Sequence, residues 1–415
     1  MKNPSRIGCG RPAVFVAISA LLISLAACEG LVNAPRQVGA SDYAYVATAD
    51  AQDPQARGAV LQYGVASDGS LVPLSAASVP AGAAPTAVVS NPTGHYVYVV
   101  NQGDATISQY AAGPGGGLVA LSPAVVGISG PRSAVVGHSE SVDPTGHFLY
   151  VVTDLGADLV AATSIAQYSI GSDGTLTPLV PAYINVPGSA SGALAIDPSG
   201  RHAYLAGASL ASARRAPRGL VSQFSISVDG TLSPLVPATV AATHTVIGVT
   251  IAPSGKTGYV LSACVDNGCN GQVTQYTIAA ADGALTSTGT NTLTGSRVNP
   301  VAMVIDSSGS SAYLLTNLIG VDTNQGVVYQ YAIDSTGALL LAPTSVNTAS
   351  GAVAASTDGR NLYALSANAI GFTSGSSTGG YVNQYAVGHD GPLARGNMTT
   401  IVGGLPKAVT FLAVH

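Results

Sequence analysis

One pattern recurs seven times along this chain, and a repeat of that period has to be settled before anything else is read. Each copy runs apolar strand, glycine-bearing turn, strand with Tyr, variable connection, strand with Gln-Tyr, Asp-Gly turn, looser strand. The first marker tyrosines are Tyr45, Tyr98, Tyr150, Tyr204, Tyr259, Tyr313 and Tyr363, 50 to 55 residues apart. The second marker is Gln62-Tyr63, Gln109-Tyr110, Gln167-Tyr168, Gln223-Phe224, Gln275-Tyr276, Gln330-Tyr331 and Gln384-Tyr385. A third runs from Asp68-Gly69-Ser70-Leu71 to Asp390-Gly391-Pro392-Leu393.

Four short strands per period, parted by glycine turns, make one propeller blade. The fold expected is therefore all-β: a seven-bladed β-propeller of four-stranded antiparallel blades over residues 43–415. With strands lettered A to D from the channel outward, the first copy lacks its strand A. Pro406-Lys407-Ala408-Val409-Thr410-Phe411-Leu412 supplies one with no B, C or D behind it. The C-terminal strand should close the first blade and remove the open sheet edges. Nearly continuous apolar runs such as Tyr96-Val97-Tyr98-Val99-Val100 fit strands covered on both faces. Composition agrees, with 50 Gly and 24 Pro to make turns. Charged residues are only 8% and the formal net charge is −5, which excludes the basic footprint of a nucleic-acid binder.

Alternating strand direction puts A–B and C–D turns on one face and B–C and D–A connections on the other. The A–B turns are short and alike, whereas the B–C connections near 208–219, 263–271, 317–326 and 367–380 are long and dissimilar. Scaffold turns stay short while binding loops vary, so the B–C/D–A face is the expected working face.

Lys2, Arg6 and Arg11 precede an apolar run from Ala13 to Ala27, the pattern of an export signal too short to span a bilayer comfortably. The run ends Leu25-Ala26-Ala27-Cys28, which resembles a bacterial lipobox with Cys28 as the lipidated residue. Residues 1–27 are then a lipoprotein signal peptide and 28–42 a lipidated tether. The expected address is the bacterial cell envelope, and Glu29 favours the outer membrane if the cell is Gram-negative. Cys264 and Cys269 close a short loop, where an exported chain forms a disulfide by default.

The repeated region resembles the lactonase-type seven-bladed propellers, a family that includes 6-phosphogluconolactonases and carboxymuconate cyclases. The stretch that carries the likeness is His138-Ser139, Asp143-Pro144-Thr145-Gly146-His147-Phe148-Leu149-Tyr150 and Asp154-Leu155-Gly156-Ala157-Asp158. The resemblance implies that His138 stands at the catalytic histidine position. Other parts of the pattern differ: Val136 replaces a partner histidine, and Gly192, Ala193 and Ala208 stand where blade 4 would carry Arg, His and Glu.

Opening a lactone needs a base for water and a cation or donors for the developing oxyanion. His138, Asp154 and Asp158 are the candidate polar cluster, with Arg132 as a candidate cation. Arg214, Arg215 and Arg218 crowd one B–C connection as a candidate anion site. Glu140 shares the strand face of His138 if plain alternation holds. The repeated Gln-Tyr pairs, and His95, His147 and His202, are expected to serve the blades. No Walker, zinc or dinucleotide motif is present and no cofactor is expected. The expectation is a monomeric binding propeller, anchored to the membrane by its lipid, whose small-molecule or protein ligand sits on the B–C/D–A face. Hydrolysis of an exported lactone is the alternative.

Overall fold

The computed structural model describes residues 38–49, 57–130, 136–154, 163–186, 189–208, 219–242, 244–263, 270–293, 298–318, 326–347, 352–357, 360–366, 379–386, 393–402 and 405–413. The described strands form seven four-stranded sheets, each ordered A–B–C–D and antiparallel throughout. Blade 1 pairs the C-terminal strand Leu405–Ala413, as strand A, with Val38–Ala49, Arg57–Ala66 and Leu71–Ala83. Blade 2 is Pro85–Ser90, Tyr96–Asn101, Thr106–Ala112 and Leu118–Gly127, and blade 3 is Val136–Val142, Phe148–Asp154, Ser164–Ile170 and Leu176–Asn185. Each strand A touches the strand A of the next blade, and that of blade 7 touches that of blade 1. The ring is closed.

One boundary shifts. Strand B of blade 1 starts at Val38, inside the segment 28–42 read as tether. The long closing strand reaches back along it as far as the Asp42–Ala413 pair, which extends the ladder before the apolar pattern begins.

The core is divided into seven layers, one between each pair of neighbouring blades. Strand B of blade 2 shows why its residues are apolar without alternation. Val97 and Val99 pack toward blade 1, while Tyr98 and Val100 pack toward blade 3. A strand with a blade on each side has no wet face.

The repeated polar markers are the clasps between these layers. The Tyr98 hydroxyl donates to the Gly174 carbonyl in the C–D turn of the following blade, at 2.8 Å. Tyr45, Tyr150, Tyr204 and Tyr259 make the same bond to Gly116, Gly230, Gly283 and Gly337. Tyr363 of blade 7 makes it to Gly69 of blade 1, across the join of the ring. Those turn glycines are required twice over. Gly174 has φ +81°, and a Cβ there would run into the Tyr96 ring.

The glutamines fill a defect in the ladder. In blade 3, Tyr168 pairs with Pro178 but Ala166 pairs with Tyr183, so strand D bulges away beside Gln167. Gln167 Nε2 donates to the Pro181 carbonyl at 2.9 Å, and its Oε1 accepts the Leu232 amide of blade 4 at 2.7 Å. Gln109 does the same with Pro123 and Leu176, and Gln223 with Pro237 and Leu285. Gln-Tyr and Asp-Gly-Leu are thus two halves of one inter-blade joint.

Candidate functional site

Each pairing of strands A and B carries an irregularity near the D–A end, the end at which strand A begins. In blade 3 Gly137 pairs with Thr153 and Ser139 with Val152, so His138 is the bulged residue between them. Asp154 ends strand B and pairs with Val136, which brings its backbone to the same end of the blade as His138. The side chains of His138, Glu140 and Asp154 lie outside the described ones. The bulge does correct one expectation. Simple alternation breaks at His138, so the shared strand face expected for Glu140 does not follow from their spacing.

The corresponding place in blade 4 is different. Ala190 pairs with Gly207 and the next pair is Leu194–Leu205, so Ser191-Gly192-Ala193 stand between ladder pairs. No acid, base or cation occupies that stretch. Arg132, Asp158, Arg214, Arg215 and Arg218 lie outside the described residues, as do Cys28, Cys264 and Cys269. The strands that precede the long connections end at Asp154, Ala208, Ala263, Leu318 and Ser366, and residues 155–162, 209–218, 264–269, 319–325 and 367–378 lie outside the described ones.

The same register shift identifies a residue that sequence reasoning passed over. In blade 1 Ala47 pairs with Ala408 and Thr48 with Pro406, which makes Lys407 the counterpart of His138. Lys407 is exposed. Its sequence signal was hidden because the closing strand is the one copy of strand A with no blade behind it.

The opposite face is built for turn geometry. The Asp143 carboxylate accepts the amides of Thr145, His147 and Phe148, an Asx turn that fixes the A–B connection. His147 Nδ1 lies 3.0 Å from the Thr145 hydroxyl, and His95 Nδ1 lies 3.2 Å from that of Thr93. These residues line a cavity of about 430 Å³ between blades 2 and 3. In blade 4 His202 Nδ1 is 3.0 Å from Asp197 Oδ2. Burial by itself would raise the Asp197 pKa, but hydrogen bonds from His202, Ser199 and the Arg201 and His202 amides outweigh it and hold it low. Burial pushes the clasp tyrosines upward, so they stay protonated donors. Among the described residues no group of three or more His, Cys, Asp or Glu converges as a metal site would require.

A closed ring of seven four-stranded antiparallel blades defines the class. Over residues 38–316 the sequence matches the family described as Lactonase, 7-bladed beta-propeller, and the chain belongs to that family. Among solved structures it is similar to a Bacteroides fragilis protein proposed as a 6-phosphogluconolactonase, with 18% identity and a TM-score of 0.65, covering 90% of this chain and 98% of that one. It is also similar to the periplasmic gluconolactonase of Pseudomonas aeruginosa, with 16% identity and a TM-score of 0.65, covering 90% of this chain and 100% of that one. A functionally unknown protein of Desulfotomaculum acetoxidans shares the fold at 13% identity and a TM-score of 0.61, with 90% of this chain and 99% of that one covered. At such identities the likeness is one of fold. No curated protein sequence matches significantly.

Proposed function

We propose that this propeller is a ligand-binding module held at the bacterial cell envelope by lipid on Cys28, with its ligand at the B–C/D–A mouth of the channel. The observation that carries the reading is the contrast between blades 3 and 4. Lactone opening needs a base and a partner for the oxyanion. Where blade 3 has His138 and Asp154, blade 4 offers only Ser191-Gly192-Ala193 between its ladder pairs. The long B–C connections supply the variable surface that binding uses. Export is supported by the apolar run that ends at Cys28.

A second reading is hydrolysis of a lactone met outside the cytoplasm, favoured by the family and by His138. One panel separates the two: full-length protein tested against sugar and acyl lactones, with His138→Ala beside it. No turnover by either protein supports binding. Ordinary turnover that His138→Ala abolishes overturns it. Anchoring is tested separately, since Cys28→Ser should leave the chain unlipidated and released from membranes.

A further inference from the structure

A cavity lies away from the channel, between the outer strands of blades 1 and 2 at their B–C/D–A end. It holds about 310 Å³, and Arg57, Pro80, Asp104, Ala124 and Val125 are among the residues that line it. Strand pairing and one hydrogen bond bring its two charges to the same place. Arg57 opens strand C of blade 1 and pairs with Ala83 on strand D. The Ala83 amide donates at 3.0 Å to Oδ2 of Asp104, in the B–C turn of blade 2. The Thr106 hydroxyl donates to the other oxygen, Oδ1, at 2.6 Å. That turn is stitched to the D–A connection of blade 1, because the Gly103 amide donates to the Ala83 carbonyl and the Gln102 amide to that of Ala84. Ala84 and Ala105, at φ +47° and +52°, are the only non-glycine residues of positive φ among the described ones. Both flank the Asp104 contacts, so left-handed backbone that alanine adopts reluctantly is concentrated at this one place.

The two charges share the cavity without pairing. The exposed Arg57 guanidinium has no hydrogen-bond or ion-pair partner among the described residues. Asp104 is exposed too, and each of its oxygens gives one lone-pair site to the protein and keeps another. Beside them Pro80, Ala124 and Val125 present apolar surface to solvent, Val125 at 49% exposure. None of the three belongs to the core layers on either side of blade 2. A simple anion would gain from Arg57 and be repelled by Asp104, and a simple cation would meet the reverse. A small molecule that carries both signs satisfies both charges, and an aliphatic group on it would take the apolar wall out of water. The volume sits at the lower end of the range for ligand pockets, which keeps the ligand small.

We infer that this cavity takes a small zwitterion with an aliphatic side chain, of the class of the free α-amino acids, its carboxylate on Arg57 and its ammonium on Asp104. The site is separate from the channel mouth, so it stands or falls independently of the binding reading above. The test is calorimetric titration of full-length protein with valine, glycine, isovalerate and isobutylamine. Isovalerate is valine without its ammonium, isobutylamine is valine without its carboxylate, and glycine keeps both charges without the side chain. Valine should bind, and the other three should each bind about tenfold more weakly or worse. Arg57→Gln should weaken valine about tenfold or more, and Arg57→Lys should weaken it less. Asp104→Asn should weaken valine as well. Asp104 also holds its turn, so the exposed substitution Arg57→Gln decides the matter where Asp104→Asn lowers the thermal midpoint. Absence of valine binding, or any of the other three compounds binding as tightly as valine, overturns the inference. Valine affinity unchanged in Arg57→Gln, as binding at the channel mouth would leave it, overturns it too.

Discussion

The clasp tyrosines show how one hydroxyl, repeated, holds a ring. Tyr150 is fully buried and its hydroxyl donates at 2.7 Å to the Gly230 carbonyl. Tyr150→Phe keeps the ring and strands a buried carbonyl, so stability should fall by about 1 kcal/mol. Urea unfolding should show a lower midpoint at unchanged slope. Tyr96 makes a similar bond to the Ser172 carbonyl in an exposed setting, where water can replace it. Tyr96→Phe should cost no more than about 0.5 kcal/mol. Asp197 gives a pH prediction at the same scale. Its folded pKa lies below the ordinary 3.8, so the native state favours the carboxylate. That stabilisation is present above the ordinary value and is lost as pH falls through the lower, folded one. Thermal unfolding followed from about pH 6 to about pH 3 should therefore show a shallower acid decline in Asp197→Asn than in the native chain.

At the scale of the strand, the closing element and the outer edges decide whether the ring persists. The strand Leu405–Ala413 buries Val409 and Leu412 in the layers on its two sides, and Ser90 donates to its Phe411 carbonyl. Burying such side chains contributes about 1.5 to 3 kcal/mol each, a large part of the 5 to 15 kcal/mol typical of a domain. A chain ending before Leu405 should therefore fail to fold, giving no native far-UV circular dichroism and eluting as aggregate. The outer strands D are protected differently. Pro178, Pro181, Pro234 and Pro237 cannot donate to a foreign strand, and the bulges beside Gln167 and Gln223 bend the edge away. Blade number, strand order and closure were legible because the residues that mark the repeat, Tyr, Gln and the Asp-Gly-Leu turn, are the inter-blade contacts themselves. The bulge at His138 was not. One extra residue in a ladder leaves the apolar pattern nearly intact, so the kinship of Lys407 and His138 emerges only from register. The expected cluster of His138, Asp154, Asp158 and Arg132 spans a connection and an N-terminal approach whose path no periodicity fixes, and only His138 and Asp154 are tied to a common blade end by pairing.

Across the whole molecule the same economy of charge recurs, and it predicts how the ring responds to salt. Only 8% of residues are charged, and the joints between blades are made by neutral hydroxyls, amides and carbonyls. Ionic strength screens charge–charge attraction, with a Debye length near 10 Å at 0.1 M that shrinks to about 3 Å at 1 M. It does little to a buried neutral hydrogen bond. The layers between blades should moreover gain slightly from salts that are excluded from protein surface, since those strengthen apolar burial. The thermal midpoint should therefore stay within about 3 °C between 0.05 M and 0.5 M NaCl, and rise in sulfate. A midpoint that falls steeply with NaCl would show that ion pairs carry the ring after all.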